Sequence, residues 1–237
     1  MVPYREEMPQ SAEERAARPA PRRLPRGRHA LAPEVVERIH RDRLYAAMAE
    51  AMAERGYVRT SVEDVLRRAV VSRQSFYRLF DSKLDCFMGA FERAGEILVA
   101  HVLKALEPGR DAEVAEGGGG VPSDPLAAVE HALTAYLDVL AQEMPYARLF
   151  LVEVYAAGAE AVQRRTALQG DLAGVFAGLI GADDDAGRYT CQMIVAATSA
   201  MVTPHVAAGD ADALRALGPP LTEHIRRLWD RGMFSGE

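Results

Sequence analysis

Residues 60–83 read TSVEDVLRRAVVSRQSFYRLFDSK, and no other stretch restricts the fold as much. SVEDVLRRA is a helix of barely nine residues, opened by Thr60 or Ser61 as cap. With Ser61 as the cap, Asp64 stands three residues on, where a carboxylate suits a first turn. Val62, Val65, Leu66 and Ala69 make its apolar side. Val70-Val71 turns the chain and Ser72 caps a second short helix, RQSFYRLF, which Asp81-Ser82 ends. Ser82 then caps a long helix over about 83–106, carrying Leu84, Phe87, Met88, Phe91, Ile97, Leu98 and Leu103. Ahead of this corner a helix opens near Pro33, with Leu44, Met48, Ala51 and Met52 on one stripe and Gly56 as its stop signal.

The helix RQSFYRLF divides by face. Phe76 and Phe80 are four residues apart and point toward the two preceding helices, with Leu79 widening that stripe. Arg73 with Tyr77, and Gln74 with Arg78, form neighbouring polar stripes at the same spacing. Two short helices and a tight turn in a basic segment suggest a helix-turn-helix. A helix about ten ångströms across fits the major groove. There Arg73 offers a fork to guanine, Gln74 pairs with adenine and Tyr77 reaches a phosphate. Lys83, at a helix N-terminus, suits a phosphate, and the amides capped by Thr60 and Ser61 give a second anchor.

The net charge of −6 would argue against nucleic acid, but its distribution does not. Lys and Arg number 16 against 8 Asp and Glu within 15–83, whereas 9 face 18 beyond residue 107. This is a basic binding module joined to an acidic body. Arg22, Arg23, Arg26 and Arg28 lie in a Pro- and Arg-rich segment, 1–32, expected to be disordered. It reads as a solvated tail or as an arm that reaches DNA.

The ordered run Gly56-Tyr57, Thr60, Ala69, Val71-Ser72, Phe76-Tyr77, Phe80 and Lys83 resembles the DNA-binding region of TetR-type transcriptional regulators. The end of the preceding helix, Ala53-Glu54-Arg55-Gly56, is similar too, and the resemblance covers about 34–92. Three positions depart from the pattern: Val70 stands where a turn glycine is usual, Leu66 where alanine is usual, and Gln74 where glycine is common. A β-branched residue resists the positive φ of such a turn, so the turn either changes geometry or carries strain. Gln74 adds a finger to the reading face.

The resemblance implies an all-α homodimer with an N-terminal three-helix DNA-binding domain, 33–83, and a C-terminal ligand-binding and dimerisation domain, 84–237. Two reading heads sit on a near-palindromic double-stranded operator, and an unidentified small-molecule effector releases them. The last two long helices of each subunit form the dimer interface. The DNA-facing set is Thr60, Ser61, Ser72, Arg73, Gln74, Ser75, Tyr77, Arg78 and Lys83.

Ala and Leu abound, β-branched runs are short and no strand pairs are legible, which agrees with an all-helical chain. Gly117 to Gly120 make 108–123 a flexible linker. Helices are expected near 124–143, 146–157, 159–181, 185–207 and 210–232. The fourth, rich in Ala196, Ala197, Ser199 and Ala200, reads as an interface helix with 211–231 as its partner. Candidate effector contacts are His131, Tyr136, Met144, Phe150, Tyr155, Phe176 and Met193. Glu153, amid apolar residues, reads as a pocket anchor or as a partner for Arg148.

Cys86 and Cys191 read as buried thiols rather than a redox pair, and no Cys/His cluster offers a metal site. No cofactor is expected. No nucleophile-elbow, phosphate-loop, zinc-protease or dinucleotide fingerprint occurs, so an enzyme is not expected. No apolar run of bilayer length and no secretory h-region is legible, so no membrane partner is expected and the cytoplasm is the expected location. The alternative is a helical interaction protein of the same fold that has lost DNA binding.

Overall fold

The first helix, α1 (Pro33–Arg59), starts on a proline whose missing N–H is harmless at a first helical position. In this computed structural model, which describes residues 32–107 and 124–235, α1 buries Leu44, Ala47, Met48, Ala51 and Met52. Helical geometry breaks inside it at Gly56 (φ 76°, ψ 165°), so the expected stop signal appears as an internal break. α2 (Val62–Ala69) opens with a reciprocal cap. Asp64 N donates to Ser61 Oγ, while the Asp64 carboxylate accepts from Ser61 N at 3.0 Å and Ser61 Oγ at 2.6 Å. Those two bonds, from the hydroxyl first and then the backbone N–H, hold the Asp64 carboxyl down at about 2. α3 (Arg73–Leu79) is capped by Ser72 Oγ, which accepts from Ser75 N at 3.0 Å. α4 (Lys83–Leu106) is capped by Ser82. The basic arm and the glycine linker of the sequence reading lie outside the described residues.

The body contains α5 (Pro125–Gln142), α6 (Met144–Arg148), a π-helical segment Leu149–Glu153, α7 (Val154–Ala157), α8 (Ala159–Ile180), α9 (Asp185–Ala208), α10 (Ala211–Ala216) and α11 (Gly218–Trp229). No strand occurs among the described residues. Two expectations need correcting. The segment 146–157 is not one regular helix, because the π turn lies within it. The segment 210–232 breaks at Leu217, where Pro219 and Pro220 open α11 and have no N–H to extend the α10 ladder.

One apolar cluster runs from the three-helix head into the body. It joins Leu44, Met48, Val65, Phe76 and Phe80 to Phe87 and Phe91 of α4 and to Leu149, Phe150 and Val154 beyond. Phe91 and Phe150 stack with centroids 4.7 Å apart and planes at 15°. In α4, a Cβ on Gly89 would fall 2.6 Å from the Tyr45 ring, so the bare Gly89 leaves the space in which the end of that α1 side chain lies. A second cluster, with Val129, Ile180, Cys191, Ile225 and Phe234, closes the far end of the body.

Candidate nucleic-acid interface and effector cavity

On α3, Phe76 is fully buried, and Phe80 just beyond it nearly so. Phe76 packs on Phe80 at 5.6 Å, and Phe80 on Tyr45 of α1 at 5.7 Å. Burial of one such ring is worth about 2–3 kcal/mol, so these rings fix the orientation of the helix. The opposite side is open: Ser72, Arg73, Gln74, Tyr77 and Arg78 are exposed and Ser75 half-buried. Arg73 pairs with Glu63 at 2.7 Å and Arg78 with Glu37 at 3.5 Å. Both pairs are solvent-exposed and therefore weak, so a phosphate or base edge can displace either carboxylate. Tyr77 leans edge-on against Phe76, which limits where its hydroxyl can go. Ser61, at the N-terminus of α2, is exposed as well.

Two expected contacts turn inward instead. Thr60 is buried, and its hydroxyl donates to the carbonyls of Gly56 at 2.8 Å and Ala51 at 3.3 Å. Lys83 Nζ donates to Tyr57 O at 3.0 Å and Thr60 O at 3.1 Å and lies 4.0 Å over the Tyr57 ring. Desolvation lowers its pKa. The ammonium therefore satisfies carbonyls at the broken end of α1 rather than pointing to solvent. Gly56, Tyr57, Thr60 and Lys83 thus form one knot between α1 and α4.

The knot is also tied to the body. Glu153, the last residue of the π segment, is buried, and its Oε2 accepts from Tyr57 N at 2.8 Å. Arg148 Nε lies 3.3 Å from Glu153 Oε1, and Arg148 Nη1 donates to Ala207 O near the end of α9 at 2.6 Å. A polar chain thus runs from α9 through Arg148 and Glu153 to the residue after Gly56. The positive φ of Gly56 favours glycine, and a Cβ there would also crowd Glu153 Oε2 at 3.2 Å.

Between α5, α8 and α9 lies a cavity of about 130 Å³. Its lining is predominantly apolar, with Val129, Leu133, Leu172, Phe176, Leu179 and Ile194 prominent. Of the expected effector contacts, Tyr136, Phe150 and Phe176 line it. His131 is exposed, with Nδ1 2.6 Å from Ala127 O. Met144 packs on the first apolar cluster instead. Tyr155 and Met193 are solvent-exposed and do not line the cavity. Arg165 and Gln169 line it without having been singled out in the sequence, and Ser199, expected on an interface helix, lines it too. The signal was present: Arg165, Gln169, Leu172, Phe176 and Leu179 follow helical spacing along one face of α8.

Val175 of α8 and Tyr189, Met193 and Met201 of α9 are exposed large apolar side chains, with Ala196, Ala197 and Ala200 exposed among them. α9 packs mainly along α8 and also meets α10, whereas α11 rests on α5, so within one chain the main neighbour of α9 is α8 rather than 211–231. Among the described residues α9 is the one helix long and apolar enough to cross a membrane, with mean hydropathy 1.2 and 28 % of that window buried. Both cysteines are buried and unpaired, and burial pushes the Cys86 thiol up to about 12. No group of three or more possible metal ligands occurs among the described residues.

Residues 44–88 match the model of the bacterial regulatory proteins, tetR family. A TetR-like transcriptional regulator from Rhodococcus sp. RHA1 is similar at 19 % identity and TM-score 0.58, over 86 % of this chain and 99 % of that one. The fatty acid degradation regulator FadR from Bacillus halodurans is similar at 18 % identity and TM-score 0.61, over 87 % and 97 %. FadR from Bacillus subtilis, solved in complex with stearoyl-CoA, gives 16 % and 0.60, over 83 % and 98 %.

Proposed function

We propose, for a chain that is a TetR-type transcriptional regulator, that it represses transcription by binding a near-palindromic duplex as a homodimer and releases it when a small molecule fills the cavity. The observation that carries the reading is the partition of α3. Phe76 and Phe80 seat it, and Ser72, Arg73, Gln74, Tyr77 and Arg78 are solvent-exposed on the other side, the two arginines held only by exposed ion pairs. Arg73 and Gln74 read bases, while Ser72, Ser75, Tyr77 and Arg78, with Ser61 and the N-terminus of α2, meet the backbone. Thr60 and Lys83 act by holding the head together. The dimer forms through the exposed face of α8 and α9, as an isologous four-helix contact.

The lining of the cavity suits an effector with an apolar body, and one protein of the same fold was solved with an acyl compound, stearoyl-CoA. A cavity of about 130 Å³ takes only a ring-sized group. A longer occupant must part α5, α8 and α9, and this preference for a spread body shifts the equilibrium of the heads.

The test is selection from a random duplex library followed by binding at increasing salt. The expected outcome is a near-palindrome whose affinity falls steeply with salt. Gln74→Ala is expected to relax preference at one base pair per half-site, by about 1–3 kcal/mol. No enriched duplex at low salt would favour an interaction protein that has lost DNA binding. Unaltered base preference in Gln74→Ala would remove the role given to that residue.

A further inference from the structure

The cavity is not uniform along its length. Toward Val129, Ile225, Leu179 and Phe176 it merges with the second apolar cluster. Toward the other end it meets Arg165, Gln169, Ser199 and Tyr136. Arg165 Nη2 donates to Ser199 Oγ at 2.7 Å, and Nη1 reaches Gln169 Oε1 at 3.4 Å. Its Nε is buried without a hydrogen-bond partner, and no carboxylate lies within 4.0 Å of it among the described residues. The Tyr155 ring covers the guanidinium at 5.3 Å.

This is an unusual place for a guanidinium. A part-buried cation is ordinarily paired, because desolvation without a counter-charge is costly. Arg165 has five N–H donors, stays charged at every physiological pH, and has only two neutral acceptors. Burial pushes the nearby Tyr136 phenol up to about 12, so it remains protonated and able to donate. One end of an apolar cavity therefore presents a cation and hydrogen-bond donors with nothing negative to receive them.

We propose that the effector is an amphipathic anion, with an apolar body between α5, α8 and α9 and one carboxylate, or an oxyanion of similar size, bonded to Arg165. The assignment rests on the reading of the cavity as the effector site. It deepens that reading, since composition alone would admit any apolar compound. Charge-assisted bonds to a planar guanidinium favour a carboxylate over a neutral polar head, and the same charge repels an ammonium.

The experiment is calorimetric titration of the full chain with probes that share a tail and differ in head: octanoate, 1-octanol and octylammonium. 4-Propylbenzoate serves as an aryl carboxylate to separate alkyl from aryl bodies. The expected result is that one or both carboxylates bind at least tenfold more tightly than 1-octanol, with octylammonium the weakest. Arg165→Met is expected to bring the carboxylates down to the level of 1-octanol, and Arg165→Lys to restore part of the difference. If Arg165→Met does not fold, the head-group series on the unaltered chain still decides. Equal binding of octanoate and 1-octanol, a carboxylate preference that survives Arg165→Met, or no binding by any probe overturns the proposal. Release of a selected duplex is read separately. Neutral probes that release DNA as well as octanoate does would sink the anion assignment alone. A carboxylate bound through Arg165 without any effect on DNA would uphold the assignment and sink the release mechanism.

Discussion

Val70 holds φ 55° and ψ 45°, and it is the one non-glycine residue with positive φ among those described. The turn has therefore kept the left-handed geometry and put a β-branched residue into it, with Val70 N returning to Leu66 O. That conformation costs an L-residue about 1–2 kcal/mol. The side chain is substantially exposed, so little packing offsets the strain. Val70→Gly is expected to stabilise the protein by about 0.5–1 kcal/mol after the extra freedom of glycine in the unfolded chain is subtracted. Thermal melting should show a rise of about 1–4 °C. A fall would mean that the Val70 side chain packs more usefully than its exposure indicates. At this scale the sequence is informative because the departures at Val70 and Gln74 sit inside a rigid local pattern. Thr60 and Lys83 show the limit of such a pattern: polarity near a reading helix indicates a contact, but not that the partners include the carbonyls of Ala51, Gly56, Tyr57 and Thr60.

The π segment Leu149–Glu153 was not legible, because no residue type marks a π turn and its composition is that of any buried helix. Its effect is to place Phe150 and Leu151 at the cavity and Glu153 at the knot within one short element. Glu153 had been read as a pocket anchor or as a partner of Arg148; it pairs with Arg148 and also bonds the head. Glu153→Ala leaves Tyr57 N without its acceptor and Arg148 without its carboxylate, and is expected to destabilise by about 2–3 kcal/mol in denaturant unfolding. Glu153→Gln keeps an acceptor for Tyr57 N and should cost about 1 kcal/mol. Equal losses in the two variants would assign the joint to the Arg148 ion pair instead. The boundaries of α4 and α5 were plain from caps and prolines. The break between α10 and α11 was marked by Gly218-Pro219-Pro220 and was overridden by the apolar spacing of Leu214, Leu217, Leu221 and Ile225.

At the scale of the whole molecule, the exposed apolar face of α8 and α9, with Val175, Tyr189, Met193 and Met201, is a feature that a single chain leaves unexplained. If two copies meet there, the exposed Met193 belongs to the contact, and Met193→Glu puts a carboxylate from each copy into a water-poor surface. The variant is expected to sediment as a monomer and to lose most of its DNA affinity while keeping its helical content; a persistent dimer would place the contact elsewhere. Helical architecture was readable because periodicity is a property of each segment. Which helices pair was not, since it depends on how two apolar faces share one neighbour. The continuous cluster from Leu44 through Phe87 and Phe91 to Leu149 has a practical meaning for anyone recombining such proteins. A cut after residue 83 separates Phe76 and Met48 from the rings that complete their packing, leaving raw apolar surface on both fragments. The natural seam for grafting this reading head onto another body is not a point in the chain. It is a surface, and the residues of α4, the Leu149–Glu153 segment and Arg148 must travel with the head as its cushion.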